Sequence, residues 1–144
     1  MAFVASLSGR VYVLKWTTAP ELVDVNRLGH ELPATRRQAG EPLVALSVIP
    51  AGLGMPNGET RRAMVKRQHM WTDNCMAVYV VLGDTSFPGT LLRVVLAELA
   101  LVSKRGVVKI FPTVDPAIAE MAARLGEEPR GLRHRIDQTG VLSL

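Results

Sequence analysis

Three short apolar runs, Pro42 to Ile49, Cys75 to Leu82 and Val107 to Phe111, restrict what this chain can fold into more than any other feature. Each has the length of a strand, each is followed by a loop bearing Pro or Gly, and beyond each loop the apolar residues recur at helical spacing. That alternation predicts parallel strands joined by helices in one α/β domain. In such a domain the functional rim lies where strands stop and helices start. Leu43 to Ile49 and Met76 to Leu82 are almost unbroken apolar runs, as expected of strands covered on both faces.

Local signals fill in the rest. Phe3 to Leu7 and Arg10 to Trp16 flank the turn signal Ser8-Gly9, predicting an opening β-hairpin. Thr18-Ala19-Pro20-Glu21 has the form of a capping box with Thr18 at the N-cap. The helix it would start carries Leu22, Val25, Leu28, Gly29 and Leu32 on its apolar face and Asp24, Arg27 and Glu31 opposite, with a kink or end at Pro33 and a stop at Gly40. Asn57 is the expected cap of a helix over Glu59 to Trp71. Gly83 to Ser86 supply turn and cap residues for a strongly apolar helix from Leu91 to Lys104, stopped by Gly106. After the last strand, Pro112 to Pro116 turn, and Ala117 to Leu125 form a helix ended by Gly126. The expected architecture is a mostly parallel sheet of about five strands with an N-terminal hairpin, flanked by four helices. Residues 1–126 form the domain and 127–144 an irregular tail, with a short helix around Leu132 to Gln138.

Composition removes several classes. With 144 residues, 48% apolar and 21% charged, the chain suits a single ordered domain. Cys75 is the only cysteine, so no internal disulfide or thiolate metal site forms, which fits a reducing compartment. Met1 to Leu7 lacks the features of a leader. The longest apolar run, Thr90 to Val102, is too short to span a bilayer and contains Arg93 and Glu98. A cytoplasmic location is expected. The net charge of +4 is concentrated at Arg36-Arg37, Arg61 to Arg67 and Arg130 to Arg135, but the seven aromatic residues are mostly within apolar strands rather than among these cations. Nucleic acid is therefore not an expected partner.

The element order strand, strand, helix, strand, helix, strand, helix, strand, helix resembles the STAS domain (sulfate transporter and anti-sigma-factor antagonist) and its SEC14-like relatives. The likeness covers Phe3 to about Leu125 and includes the run Cys75-Met76-Ala77-Val78-Tyr79-Val80-Val81-Leu82 leading into an apolar helix. It implies a non-enzymatic regulatory or adaptor domain whose strand-end rim binds a protein partner. Phosphoregulated members carry an Asp-Ser-Ser-Gly-like stretch with a phosphorylatable Ser after the central strand. Here the stretch reads Gly54-Met55-Pro56-Asn57-Gly58-Glu59-Thr60, which leaves Thr60 as the one candidate phosphoacceptor.

The candidate partner- or anion-binding residues are Asn57, Gly58, Thr60, Arg61, Arg62, Lys66, Asp84, Thr85 and Ser86. Arg62, Lys66 and His69 fall at i, i+4 and i+7, one basic stripe of a continuous helix. A ligand-binding alternative, taking an anionic or lipid-like molecule, expects a pocket lined by Met55, Asn57 and Asp84 to Phe87. The apolar helix from Leu91 to Val102 is the expected homodimer contact. For catalysis, His30, His69 and His134 are scattered, and His69, Asp73 and Cys75 form only a weak group. No metal-ligand spacing recurs, no cofactor is expected, and Gly52-Leu53-Gly54 lacks the rest of a dinucleotide fingerprint.

Overall fold

The structure, a computed structural model, describes residues 2–83 and 108–144. β1 (Phe3–Ser8) and β2 (Val11–Trp16) form the hairpin, turning at Gly9, whose φ of 62° lies in the left-handed region that glycine enters freely. β3 (Leu43–Ile49), β4 (Cys75–Leu82) and β5 (Val108–Phe111) complete one sheet in the order β1-β2-β3-β4-β5. β1 is antiparallel to β2, and every later neighbour is parallel. Leu46 pairs with Tyr79 and Tyr79 with Lys109, so the three expected strands lie side by side and point the same way. The α/β class and the mixed five-stranded sheet follow the sequence reading.

Helices cover both faces. On one, α1 (Leu22–Ala39), α2 (Gly58–Lys66) and α3 (His69–Asn74) contribute Leu28, Leu32 and Met70 to a core with Tyr12, Leu14, Trp16, Ala45, Val78, Val80 and Leu82. On the other, α4 (Val114–Leu125) and α5 (Pro129–Gln138) bring Ile118, Met121, Leu132 and Ile136 against Val11, Val13, Val44, Leu46, Tyr79 and Val81. Alternation along β3 feeds both cores, as expected of a strand with no wet side. The crossovers after β2 and after β3 step the same way along the sheet and place α1 and the α2–α3 pair on the same face.

Several local expectations need correction. α1 begins at Leu22, not after Thr18: Glu21 is the N-cap and its N–H donates to Asp24 Oδ2 at 2.9 Å, so the box lies three residues later. That bond is why Asp24, expected on the polar face, is buried. Pro33 does not end the expected helix but sits inside it; α1 runs on to Ala39 and stops at Gly40, whose φ of 77° closes it in the left-handed conformation. The segment Glu59 to Trp71 is two helices, α2 and α3, broken at Arg67-Gln68. The tail is not irregular. Pro129 occupies a first-turn position where no backbone donor is needed, and Leu132 and Ile136, one turn apart, are fully buried, so α5 belongs to the domain. Beyond it a short 3₁₀ turn, Val141–Ser143, buries Val141, and Lys15 Nζ donates to the carbonyl oxygens of Leu142 (3.1 Å) and Leu144.

Candidate functional site

The rim is built by the ends of the parallel strands and the starts of the helices that follow. After β3 the chain loops through Pro50 to Asn57 and enters α2. Asn57 caps that helix as expected, its Oδ1 accepting from the Thr60 N–H at 2.8 Å. Asn57→Ala should cost about 1 kcal/mol of stability, measured by urea unfolding. Gly83, just after β4, lies beside the segment that follows β5, where a Cβ on it would stand 3.5 Å from the Pro112 carbonyl oxygen.

α2 divides its residues by face. Thr60 and Met64 point inward, and Gln68 continues that stripe past the helix end. Arg61, Arg62, Val65 and Lys66 point outward and are exposed. The two arginine heads lie back toward the helix start, with Arg62 Nη1 3.3 Å and Arg61 Nη2 3.9 Å from where a Cβ on Gly58 would be. Among the described residues none of Arg61, Arg62 and Lys66 has a carboxylate partner, whereas Arg10, Arg27, Lys109, Arg133 and Arg135 are all ion-paired. Val65, half exposed, lies among the unpaired cations.

The expected site is thus partly assembled. Asn57, Gly58, Arg61 and Arg62 come together at the start of α2, and Lys66 lies at its other end, also exposed. His69 does not extend their stripe, because the break at Arg67-Gln68 places it on α3. Arg67 is drawn aside onto α1, its Nη1 3.1 Å from where a Cβ on Gly29 would lie. Thr60 is fully buried and its Oγ1 makes no hydrogen bond, so a kinase would have no hydroxyl to reach. The phosphoacceptor reading is withdrawn on that ground. Thr60→Val, which keeps the shape and removes the unpartnered hydroxyl, should raise stability by about 1 kcal/mol in the same unfolding measurement. Asp84, Thr85, Ser86, Phe87 and the Leu91 to Val102 helix lie outside the described residues.

A pocket of about 90 Å³ is present, but not where the rim reading places it. It lies one layer down, between the sheet and α1, α2 and α3, and neither Met55 nor Asn57 lines it. Its walls include Trp16, Leu28, Met64, Met70, Trp71, Val78 and Val80, and its polar groups are Ser47 and Gln68. The sequence reading missed Ser47. The available signal was a lone hydroxyl inside the apolar run of β3.

Cys75 is buried where α3 passes into β4. Burial pushes its thiol up from 9.0 to about 12, with Arg36 pulling weakly the other way, so it is not a ready nucleophile. Above pH 9 the unfolded chain ionises this thiol while the native chain keeps it protonated. The native state therefore binds more protons, and stability falls as pH rises from about 9 toward 12, by up to about 1.4 kcal/mol per pH unit. Between pH 9 and 10 the slope belongs to Cys75, and above pH 10 Tyr12, whose buried phenol is also pushed up, adds to it. The urea midpoint of the native chain should fall over that first interval relative to that of Cys75→Ala. Among the described residues no group of three or more His, Cys, Asp or Glu side chains could hold a metal ion, and no helix is long and apolar enough to cross a membrane. No family model, curated protein or solved structure matches this chain.

Proposed function

We propose that this chain is a non-catalytic binding domain of the regulatory or adaptor kind, which docks an acidic surface of a protein partner on the outer face of α2. The observation that carries this reading is the set of exposed cations, Arg61, Arg62 and Lys66, which have no carboxylate partner among the described residues and surround the exposed Val65. Exposed cations steer an acidic surface into place, and an apolar side chain in their midst gives it something to bury against. The element order resembling STAS domains supports the same role. A protein fits better than nucleic acid because Phe3, Tyr12, Trp16 and Tyr79 are buried in the cores and Trp71 lines the inner pocket, leaving no aromatic stacking surface beside the cations among the described residues.

Fluorescence anisotropy with a labelled oligoglutamate peptide tests the reading. The triple variant Arg61→Glu, Arg62→Glu, Lys66→Glu should lose roughly tenfold or more in affinity, since three exposed charges, each contributing about 0.2–1 kcal/mol, are reversed rather than removed. Arg130→Glu, on the exposed side of α5, should change it little. Equal binding by the two variants would refute the reading. Tighter binding of a single-stranded RNA through the same three residues would replace it with a nucleic-acid role.

A further inference from the structure

We infer that the pocket between the sheet and helices α1 to α3 is a binding site for a ring-sized apolar molecule carrying one hydroxyl or carbonyl group, held by Ser47. This inference is independent of the docking role of α2.

The sheet face under the pocket is apolar except at one point. Register aligns Leu14, Ser47, Val80 and Ile110 across four strands, and Ser47 is the single polar side chain in that row. Ser47 is only 6% exposed and lines the pocket, and its hydroxyl has no hydrogen-bond partner among the described residues. Its hydroxyl is not among the side-chain atoms sealed from solvent, unlike Gln68 Oε1 in the opposite wall, which is sealed and also unpartnered. A hydroxyl in the centre of a sheet carries a desolvation cost that an alanine or valine would avoid, so its presence asks for a partner. Water is a poor one here, because a buried water needs two to four polar neighbours and beside the Ser47 hydroxyl this pocket offers the Gln68 amide, whose Oε1 is sealed. A molecule with an apolar body fills the space between Leu28, Val78, Val80 and Trp71, and its single polar group meets Ser47. At about 90 Å³ the pocket is of the order that takes one small ring, since an apolar cavity of about 150 Å³ binds benzene.

The probes are phenol and toluene, which share a ring and differ in the hydroxyl. Titrated into protein labelled with ¹³C at methionine methyls, phenol should shift Met64 and Met70, which line the pocket, and leave Met76 and Met121, on the other side of the sheet, unmoved. It should bind more tightly than toluene. Ser47→Ala should weaken phenol roughly three- to tenfold and leave toluene unchanged, the loss expected for one neutral hydrogen bond. Absence of shifts at Met64 and Met70, or equal affinity for the two probes in the unmodified chain, would overturn the inference without any variant. Equal loss of both probes in Ser47→Ala would overturn it too, showing that Ser47 shapes the wall rather than holds a polar group.

Discussion

A chain stopped at Gly126 should fail to fold. Leu132 and Ile136 of α5 are fully buried and Val141 nearly so, in the core that covers Val11, Val13, Val44, Leu46 and Tyr79. Burying three such side chains contributes about 5–9 kcal/mol, against a total stability of about 5–15 kcal/mol for a domain of ordinary size. The truncation would also remove Arg135, which reaches from α5 to the Ser8 carbonyl oxygen at 3.2 Å and ties that helix to the hairpin. Far-UV circular dichroism during urea titration should show no cooperative transition for the shortened chain. The milder variant Ile136→Ala should unfold cooperatively with about 2–5 kcal/mol less stability, and Arg130→Ala, on the exposed side of the same helix, should stay within about 0.5 kcal/mol of the parent. A shortened chain that melts like the full one would mean that α5 is an accessory.

Leu46→Ala should be the most damaging single truncation in the sheet, at about 2–5 kcal/mol. Leu46 has no exposed surface and is in register with Val13 on one side and Tyr79 on the other, so no side chain can swing in to fill the space. Tyr79 is itself fixed, its hydroxyl accepting from Arg124 Nε at 3.0 Å and its ring lying 6.0 Å from that of Phe111. The row ends at the sheet edge in Lys109, which is exposed and paired with Glu120 at 2.6 Å. Lys109→Ala should therefore cost no more than about 1 kcal/mol. Chemical unfolding of the two variants tests whether the row passes from core to edge as described; equal losses would contradict it.

What the sequence revealed and what it hid have physical causes. The central strands were legible because a strand covered on both faces must be apolar at every position, and Leu43 to Ile49 and Met76 to Leu82 nearly are. The hairpin was legible because Ser8-Gly9 is a turn that needs a glycine. Asn57 was legible as a cap because its side chain competes for a backbone donor wherever a helix starts. The start of α1 was misplaced because Thr18, Glu21 and Asp24 offer two overlapping boxes, and only packing of Val25, Leu28 and Leu32 selects the second. The break between α2 and α3 leaves no Gly or Pro behind it, and so no local signal. In α5 two buried residues in a ten-residue helix rich in arginine were outweighed by charge. Ser47 looked like noise in an apolar run, and only the register, which sets it between Leu14 and Val80, shows it to be the exception in its row.

Hydrogen exchange by mass spectrometry, read with and without bound oligoglutamate, tests the central claim most directly. If the outer face of α2 is the docking surface, amides of residues 57–67 should exchange more slowly in the complex while those of α5, on the opposite layer, keep their rates. Slowing over 129–138 with no change over 57–67 would place the docking surface on the other face of the sheet and contradict the account.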